Sequence, residues 1–334
     1  FVIILFPIIY IYDMNFIKSL IIVSCISILV ISCSKNNLHV LRGNAFGSIY
    51  HVTFNTKNDP DLIDVKSNIE NIISLIDRAA SSYNYNSEIS VFNRLSHIRF
   101  ITISSNLSNI LQKANLASEI TDGFFDITVG NIKIYKGFYG HSKSNNVIKE
   151  STFNFKDIVL SQNKNLLRKN SIDINVDLSG IAKGYAVDLI YNYLLSKGIN
   201  NFVVNIGGEI KVHSDSERLP VSIDDPSAIK QSSETVYLLN EAIATSGTYI
   251  DTIIYDDQEI SHIINPFTSN NISKLNLLVS VIHTDCVIAD ALATGLIAMS
   301  VKDIINFSNA NNIASMLIIN NNNVLEKYYS ESFI

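Results

Sequence analysis

Apolar positions recur along the chain with two different periods, and the two alternate irregularly. From Gly47 to Phe54 the sequence GSIYHVTF alternates in the manner of a half-buried strand. Between Asp61 and Ala80, Ile69, Ile72, Ile73 and Ile76 fall at helical spacing, and Asp59-Pro60 supplies a start signal. A second helix is expected over 105–120, closing near Asp122-Gly123, and a third over 181–195, closed by Lys197-Gly198. Asn201 to Ile206 reads as a short buried strand that breaks at Gly207-Gly208. A further strand is expected over 277–282 and a helix rich in small residues over 288–299. Helices and strands mixed without a regular strand–helix–strand beat predict an α+β fold rather than a doubly wound sheet. No repeat, linker or shift in composition divides these elements, so one large domain is expected.

The most apolar stretch lies at the N-terminal end and carries a different message. Phe1 to Tyr12 is almost wholly apolar and the first methionine is Met14, so residues 1–13 read as upstream sequence translated ahead of the start. After Met14, Lys18 supplies a positive charge and Leu20 to Ile31 an apolar run too short to span a bilayer. The run stops at Ser32-Cys33, followed by polar residues, which resembles a bacterial lipoprotein signal. Residues 14–32 are then the signal, Cys33 the lipidated residue and 33–42 a short tether. The implied location is the cell envelope, lipid-anchored to the inner membrane and facing the periplasm. Cys25 would leave with the signal and Cys33 would carry lipid, so Cys286 alone remains and no internal disulfide is expected.

Composition narrows the partners. Of 334 residues, 47% are hydrophobic, and 13 Gly with 5 Pro exclude a disordered or collagenous chain. With 25 basic against 31 acidic residues the net charge is −6, which argues against nucleic acid as a partner.

Several polar or glycine-rich clusters interrupt the apolar elements. In Asp177-Leu178-Ser179-Gly180-Ile181-Ala182-Lys183-Gly184, two glycines flank a lysine where a loop enters a helix. Backbone N–H groups and a lysine there suit phosphate, although plain helix packing uses the same spacing. Asp290 and Thr294 stand four residues apart on the last helix, so their oxygens share a face. A carboxylate and a hydroxyl are hard ligands fit for Mg²⁺, while a helix-dipole Asp and a back-bonding Thr would look alike. Asn205-Ile206-Gly207-Gly208-Glu209 is a strand running into paired glycines, and Ala244-Thr245-Ser246-Gly247 is a hydroxyl-rich turn or site. His262, in Ser261-His262-Ile263-Ile264-Asn265-Pro266, is a candidate base next to such a site.

Taken in order, these blocks resemble the FAD:protein FMN transferases, the ApbE family, over roughly residues 43–300. The resemblance extends to Gly47-Ser48-Ile49-Tyr50, to the run Ser82 to Asn93 and to Thr121 to Gly130. Phe46 stands where the family has Met, Ile127 where it usually has Pro, and Tyr135 to Gly140 lacks the family's tryptophan. The resemblance implies a single large ApbE-like, T-fold-related α+β domain over 43–330, with mixed sheets and flanking helices. It implies an Mg²⁺-dependent enzyme that takes FAD as substrate, moves the FMN half onto a Thr or Ser of a partner protein and releases AMP. Carried over by motif, the metal ligands are Asp290, Thr294 and the carbonyl of Ala182. Lys183 lies on phosphate, Tyr83 stacks on the flavin, and Phe125, Asp126, Gly207, Gly208, Glu209, Thr245 and Ser246 line the FAD cleft. His262 takes the proton of the incoming hydroxyl. The implied acceptor is a flavin-carrying subunit of a membrane redox complex. Asn265 stands where the family commonly has Asp, which leaves open an FAD pyrophosphatase or a non-catalytic FAD-binding lipoprotein.

Overall fold

A computed structural model describes residues 37–56, 60–139, 153–161, 165–224, 232–249, 251–272, 276–321 and 324–333. The upstream segment, the signal and Cys33 lie outside the described residues, as does Gly140 of the 135–140 motif. In chain order the first strands are β1 (Asn37–Ala45), β2 (Ser48–Thr56), β3 (Ile101–Thr102), β4 (Ile158–Ser161) and β5 (Leu166–Lys169). Next come β6 (Asn201–Ile206), β7 (Glu209–His213), β8 (Leu219–Asp224), β9 (Ser232–Leu238) and β10 (Ala242–Gly247). The last are β11 (Thr252–Tyr255), β12 (Gln258–Ser261), β13 (Asn276–His283), β14 (Ala314–Asn321) and β15 (Val324–Tyr329). The helices are α1 (Leu62–Ala80), α2 (Glu88–Asn93), α3 (Ser105–Ile120), α4 (Gly130–Lys136), α5 (Ala182–Ser196), α6 (Cys286–Ile297) and α7 (Val301–Ala310).

Eight strands form one sheet in the order β1-β2-β6-β7-β10-β13-β14-β15, antiparallel at every step. Its alternation decides what each face covers. On one face Tyr50, Val52, Phe54, Phe202, Val204, Ala242, Ala244, Val279 and Val281 meet the helices in the main core. On the other, Val212, Ile243, Leu278, Met316 and Ile318 meet the β8–β9 hairpin in a smaller core. The class is α+β, as the irregular alternation of elements predicts.

Local signals explain the helices. Asp61 caps α1 through Ile63 and Asp64, and Val65, Ile69, Ile73 and Ile76 form its buried stripe. Each such side chain contributes roughly 1.5–3 kcal/mol by leaving water. Ser104 caps α3 through Leu107. Helix α6 begins two residues earlier than the small-residue pattern predicts, where its first turn is capped by a side chain from another helix, and it also ends two residues earlier.

The tether expected over 33–42 is corrected from residue 37 onward: Asn37 to Arg42 belong to β1, paired along its length with β2. Only Leu41 and Ala45 of its inward positions are buried apolar residues. His39 and Gly43 break the pattern, which hides the strand in the sequence. Gly43 is required, since a Cβ there would lie 2.4 Å from Cε1 of Tyr50 in the register partner.

Candidate active site

The site is built where α5 and α6 pack side by side in opposite directions. Gly180, in the turn before α5, faces Thr294; Gly184 faces Asp290 and Cys286. Each four-residue step forward on α5 is matched by a four-residue step back on α6. A Cβ at Gly184 would lie 2.5 Å from the Cys286 carbonyl oxygen and 2.8 Å from Cβ of Asp290, so the backbones approach closely only because glycine stands there. The Gly184 N–H donates to Oδ2 of Asp290 at 2.9 Å, and Ser246 Oγ from β10 lies 3.2 Å from Thr294 Oγ1.

Charge collects at this junction. Lys183 Nζ lies 2.9 Å from Oε1 of Glu209, the first residue of β7. Glu209 is 1% and Asp290 3% exposed. Burial dominates Glu209 and holds its carboxyl above the ordinary range, with Lys183 opposing and Asp290 reinforcing. Burial likewise raises Asp290, against Lys183 and the Gly184 N–H. Burial disfavours the Lys183 ammonium, but Glu209 and Asp290 outweigh it and raise its pKa. Two buried carboxylates thus share one lysine, and Oε2 of Glu209 is buried without a hydrogen-bond partner. Such a pocket favours an added cation.

The loop leading into α5 is pinned from behind. Asp177 accepts from Lys133 Nζ at 2.5 Å and from both N–H and Oγ of Ser179. Burial raises its pKa, but Lys133 and Ser179 overcome that and bring it down to about 2. Asn93 pairs with both backbone polar groups of Val176 at 2.8 Å. Ser82 donates to Asp177, and next to it Tyr83, 72% exposed, meets Tyr139 edge-on at 5.3 Å. Partial burial, and then the charges of Asp177 and Asp251, raise the Tyr83 phenol; Asp251 acts on Lys183 as well, so the two share one field.

Other expected cleft residues are placed differently. Phe125 is 4% exposed and packs in the core against Gly295. Asp126 spends both carboxylate oxygens on Thr128 and the Phe155 N–H, so it shapes the loop. Thr245 and Ser246 alternate along β10: Ser246 turns to α6, whereas Thr245 pairs with Ser280 at 2.8 Å on the opposite face. Gly207 and Gly208, with φ of +63° and +108°, make the two-residue turn between β6 and β7 that only glycine serves well. With Thr245, Tyr249 and the β8 residues Val221 to Ile223 they line a cavity of about 190 Å³. His262 is half-buried directly after β12. Asn265, three residues on, donates its amide to the Ala298 carbonyl at the end of α6 at 3.0 Å and accepts from the Phe267 and Thr268 N–H groups. Its role is to dock and shape this loop.

Asp188 and Lys211 stand beside these groups, although the sequence motifs do not single them out. Glu209, Lys211 and His213 alternate toward α5, where they meet Lys183, Asp188 and Tyr191 at 2.9, 2.6 and 2.8 Å. A signal does exist in the chain: Gly180, Gly184 and Asp188 repeat every four residues, as do Cys286, Asp290 and Thr294.

Known proteins are similar to this chain in sequence and in fold. Residues 46–317 match the model of the ApbE family. The FAD:protein FMN transferase of Vibrio cholerae serotype O1 is 30% identical over 319 residues, covering 92% of this chain and 95% of its own length. That of Chlamydia trachomatis serovar D is 30% identical over 282 residues, covering 81% and 87%. The solved flavin transferase ApbE from Vibrio cholerae matches with a TM-score of 0.76 at 28% identity, over 89% of this chain and 98% of its own. The apo flavinyl transferase ApbE of Pseudomonas stutzeri shares the fold, with a TM-score of 0.78 at 21% identity over 89% and 96%. The matched span takes in the α5–α6 junction, the start of β7 and the His262 loop, and the chain belongs to the ApbE family.

Proposed function

We propose that this protein is an Mg²⁺-dependent FAD:protein FMN transferase, which moves the FMN half of FAD onto a Thr or Ser hydroxyl of a partner protein. The observation that carries the reading is the glycine-faced junction where Asp290 and Thr294 meet the first turn of α5, at Lys183, with carboxylate in excess over lysine.

The residues present fit a hard divalent cation. Among the described residues no three His, Cys, Asp or Glu side chains gather to hold a metal. One carboxylate, one hydroxyl and one backbone carbonyl instead suit Mg²⁺, which completes its shell with water and substrate phosphate. Asp290, Thr294 and the Ala182 carbonyl would hold it, and when bound it would neutralise charge on the pyrophosphate oxygens. Asp290, oriented by the Gly184 N–H, offers its second oxygen. Lys183, partly exposed and kept cationic by Glu209, holds the phosphate in place. His262 takes the proton as the acceptor oxygen forms its bond to the FMN phosphorus. The phosphorus–oxygen bond to the AMP half then breaks and AMP leaves. Tyr83 offers an exposed ring for stacking on the flavin. The cavity beside Gly207 and Thr245 is small enough to take one end of FAD alone.

The protein, FAD, Mg²⁺ and a flavin-carrying subunit of a membrane redox complex should yield a fluorescent acceptor band on a denaturing gel, with AMP in solution. Free FMN with no labelled band would mean hydrolysis, and unchanged FAD a binding protein; either overturns the reading. The envelope location belongs to the same proposal and rests on Leu20 to Cys33. Replacing Cys33 by Ala should release the protein from the membrane fraction and abolish labelling by a fatty-acid probe.

A further inference from the structure

Asp188 touches none of the groups assigned to the reaction, yet its carboxylate is fully engaged. Oδ1 accepts from the Cys286 N–H at 3.1 Å and Oδ2 from the Val287 N–H at 2.9 Å, and Lys211 Nζ lies 2.6 Å from Oδ1. These two N–H groups open α6, where a helix ordinarily receives its cap from the residue just before it. That residue, Asp285, makes no side-chain cap and pairs with Lys113 at 2.8 Å. Helix α6 is therefore capped by its neighbour.

A cap supplied from another helix fixes position as well as satisfying donors. Asp188 lies four residues after Gly184 on α5, and Cys286 four residues before Asp290 on α6. The antiparallel pair is fastened twice, by Asp188 on the first turn of α6 and by the Gly184 N–H on Asp290. The two fastenings are one turn apart, about 5.4 Å along the axis. With both in place, α6 can neither slide along α5 nor roll on it without breaking hydrogen bonds. A slide of one residue, about 1.5 Å, would carry Asp290 and Thr294 out of register with Lys183 and the first turn of α5. Lys211 holds Asp188 from β7, two residues after the Glu209 that holds Lys183, so one strand steadies both ends of the arrangement.

We propose that Asp188, held by Lys211, is a positioning residue that sets α6 on α5 and so tunes how tightly Asp290 and Thr294 hold a divalent cation. This rests on reading the junction as a cation site. The test is a Mn²⁺ titration followed by the spin resonance of the free ion, with FAD present. It compares wild type, Asp188→Asn, Asp188→Ala and Asp290→Ala, each first shown to be folded by its melting curve. Asp188→Asn keeps the shape and one acceptor, so it supplies the test if the alanine variant does not fold. Loss of an outer partner typically weakens a metal site about 10- to 100-fold. We expect about tenfold or more for Asp188→Ala and roughly threefold for Asp188→Asn. FAD binding without metal, read by quenching of flavin fluorescence, should stay within about twofold. Wild-type Mn²⁺ affinity in the folded Asp188 variants, with only the melting temperature lowered, would reduce Asp188 to a structural cap and overturn the inference alone. Wild-type affinity in Asp290→Ala would overturn the cation site itself, and the inference with it.

Discussion

The two halves of the proposed chemistry are built in opposite ways. Around Asp290, Lys183 and Glu209 the donors and acceptors are buried and set on α5, α6 and β7, and the helices are fastened to each other. Around His262 the chain is irregular: one isolated bridge from Ile264 to Asn271 closes the loop, Ser269 takes a left-handed φ of +59°, and Phe267 stands exposed. The loop's attachment to the helices includes the Asn265 amide on the end of α6. The difference follows from what each half must meet. Charge on a pyrophosphate is stabilised best by groups already in place, because reorganising dipoles costs energy at the moment of reaction. A protein acceptor must instead be admitted from solution, which favours a base carried on a loop. Substitutions that disturb the packing of α5 on α6 should therefore act on turnover and stability together, whereas those on the loop should separate the two.

The largest effect is expected from Asp290→Ala. It removes the only charged side chain assigned to the cation, and labelling of the acceptor should fall by at least about 10³-fold. Folding should survive, because the change also relieves a buried carboxylate that faces Glu209, offsetting the lost bond to the Gly184 N–H. Acceptor labelling near the wild-type rate would remove the helix junction from the chemistry.

Lys133→Met probes the loop behind the junction through pH. In the wild type, Asp177 has its pKa lowered to about 2, so its contribution is present above the ordinary carboxylate range and lost as pH falls toward 2. Without Lys133 the buried Asp177 has no ammonium, and stability at pH 7 should fall by about 3–5 kcal/mol. Burial then raises its pKa, so the variant should recover part of that loss as pH drops from 7 toward 4, where wild type does not gain. Denaturant melts of both proteins across that range decide it, and parallel profiles would show that the pair does not hold the loop.

A paired glycine experiment is subtler. Gly184→Ala meets the Cys286 backbone and should force the helices apart, costing about 1–3 kcal/mol along with activity. The nearest atoms to a Cβ at Gly180 belong to the Thr294 side chain and not to backbone, so Gly180→Ala should cost less stability, about 1 kcal/mol, while turnover still falls. Equal melting losses in the two would mean that the close approach is not confined to Gly184.

How much of this is legible in the sequence follows the same division. The motif over 177–184 and the Asp290–Thr294 pair are visible, because helical spacing maps directly onto a shared face. Helix α1 and strand β6 are visible from their own periods and end signals. Asp188 is visible only as the third member of the four-residue step from Gly180 and Gly184; its role is not, since capping of α6 by another helix is a tertiary event that no local signal announces. The opposite facing of Thr245 and Ser246 is implicit in strand alternation, but only once that segment is known to be β10 rather than a turn. Asp126 shows the reverse: it lies inside a family motif, yet its oxygens serve the loop's own N–H groups. A motif marks which residues a fold depends on, and geometry is needed to say whether they touch ligand.

Asn265 gives the smallest and sharpest contrast. If a carboxylate at this position oriented His262, Asn265→Asp should raise the transfer rate by stabilising the imidazolium. The structure gives the amide two other roles. Its N–H group satisfies the Ala298 carbonyl at the end of α6, while its oxygen accepts from Phe267 and Thr268. An aspartate could keep the second role but not the first, and its charge would face the negative end of the helix dipole. The expected outcome is a loss of about 1 kcal/mol in stability from the broken hydrogen bond. The transfer rate should stay within about twofold, with an unchanged pH profile for the histidine. A rate gain of about tenfold, or a shift of that profile to higher pH, would mean that residue 265 reaches the base after all, and the loop would then share the preorganised character of the helices.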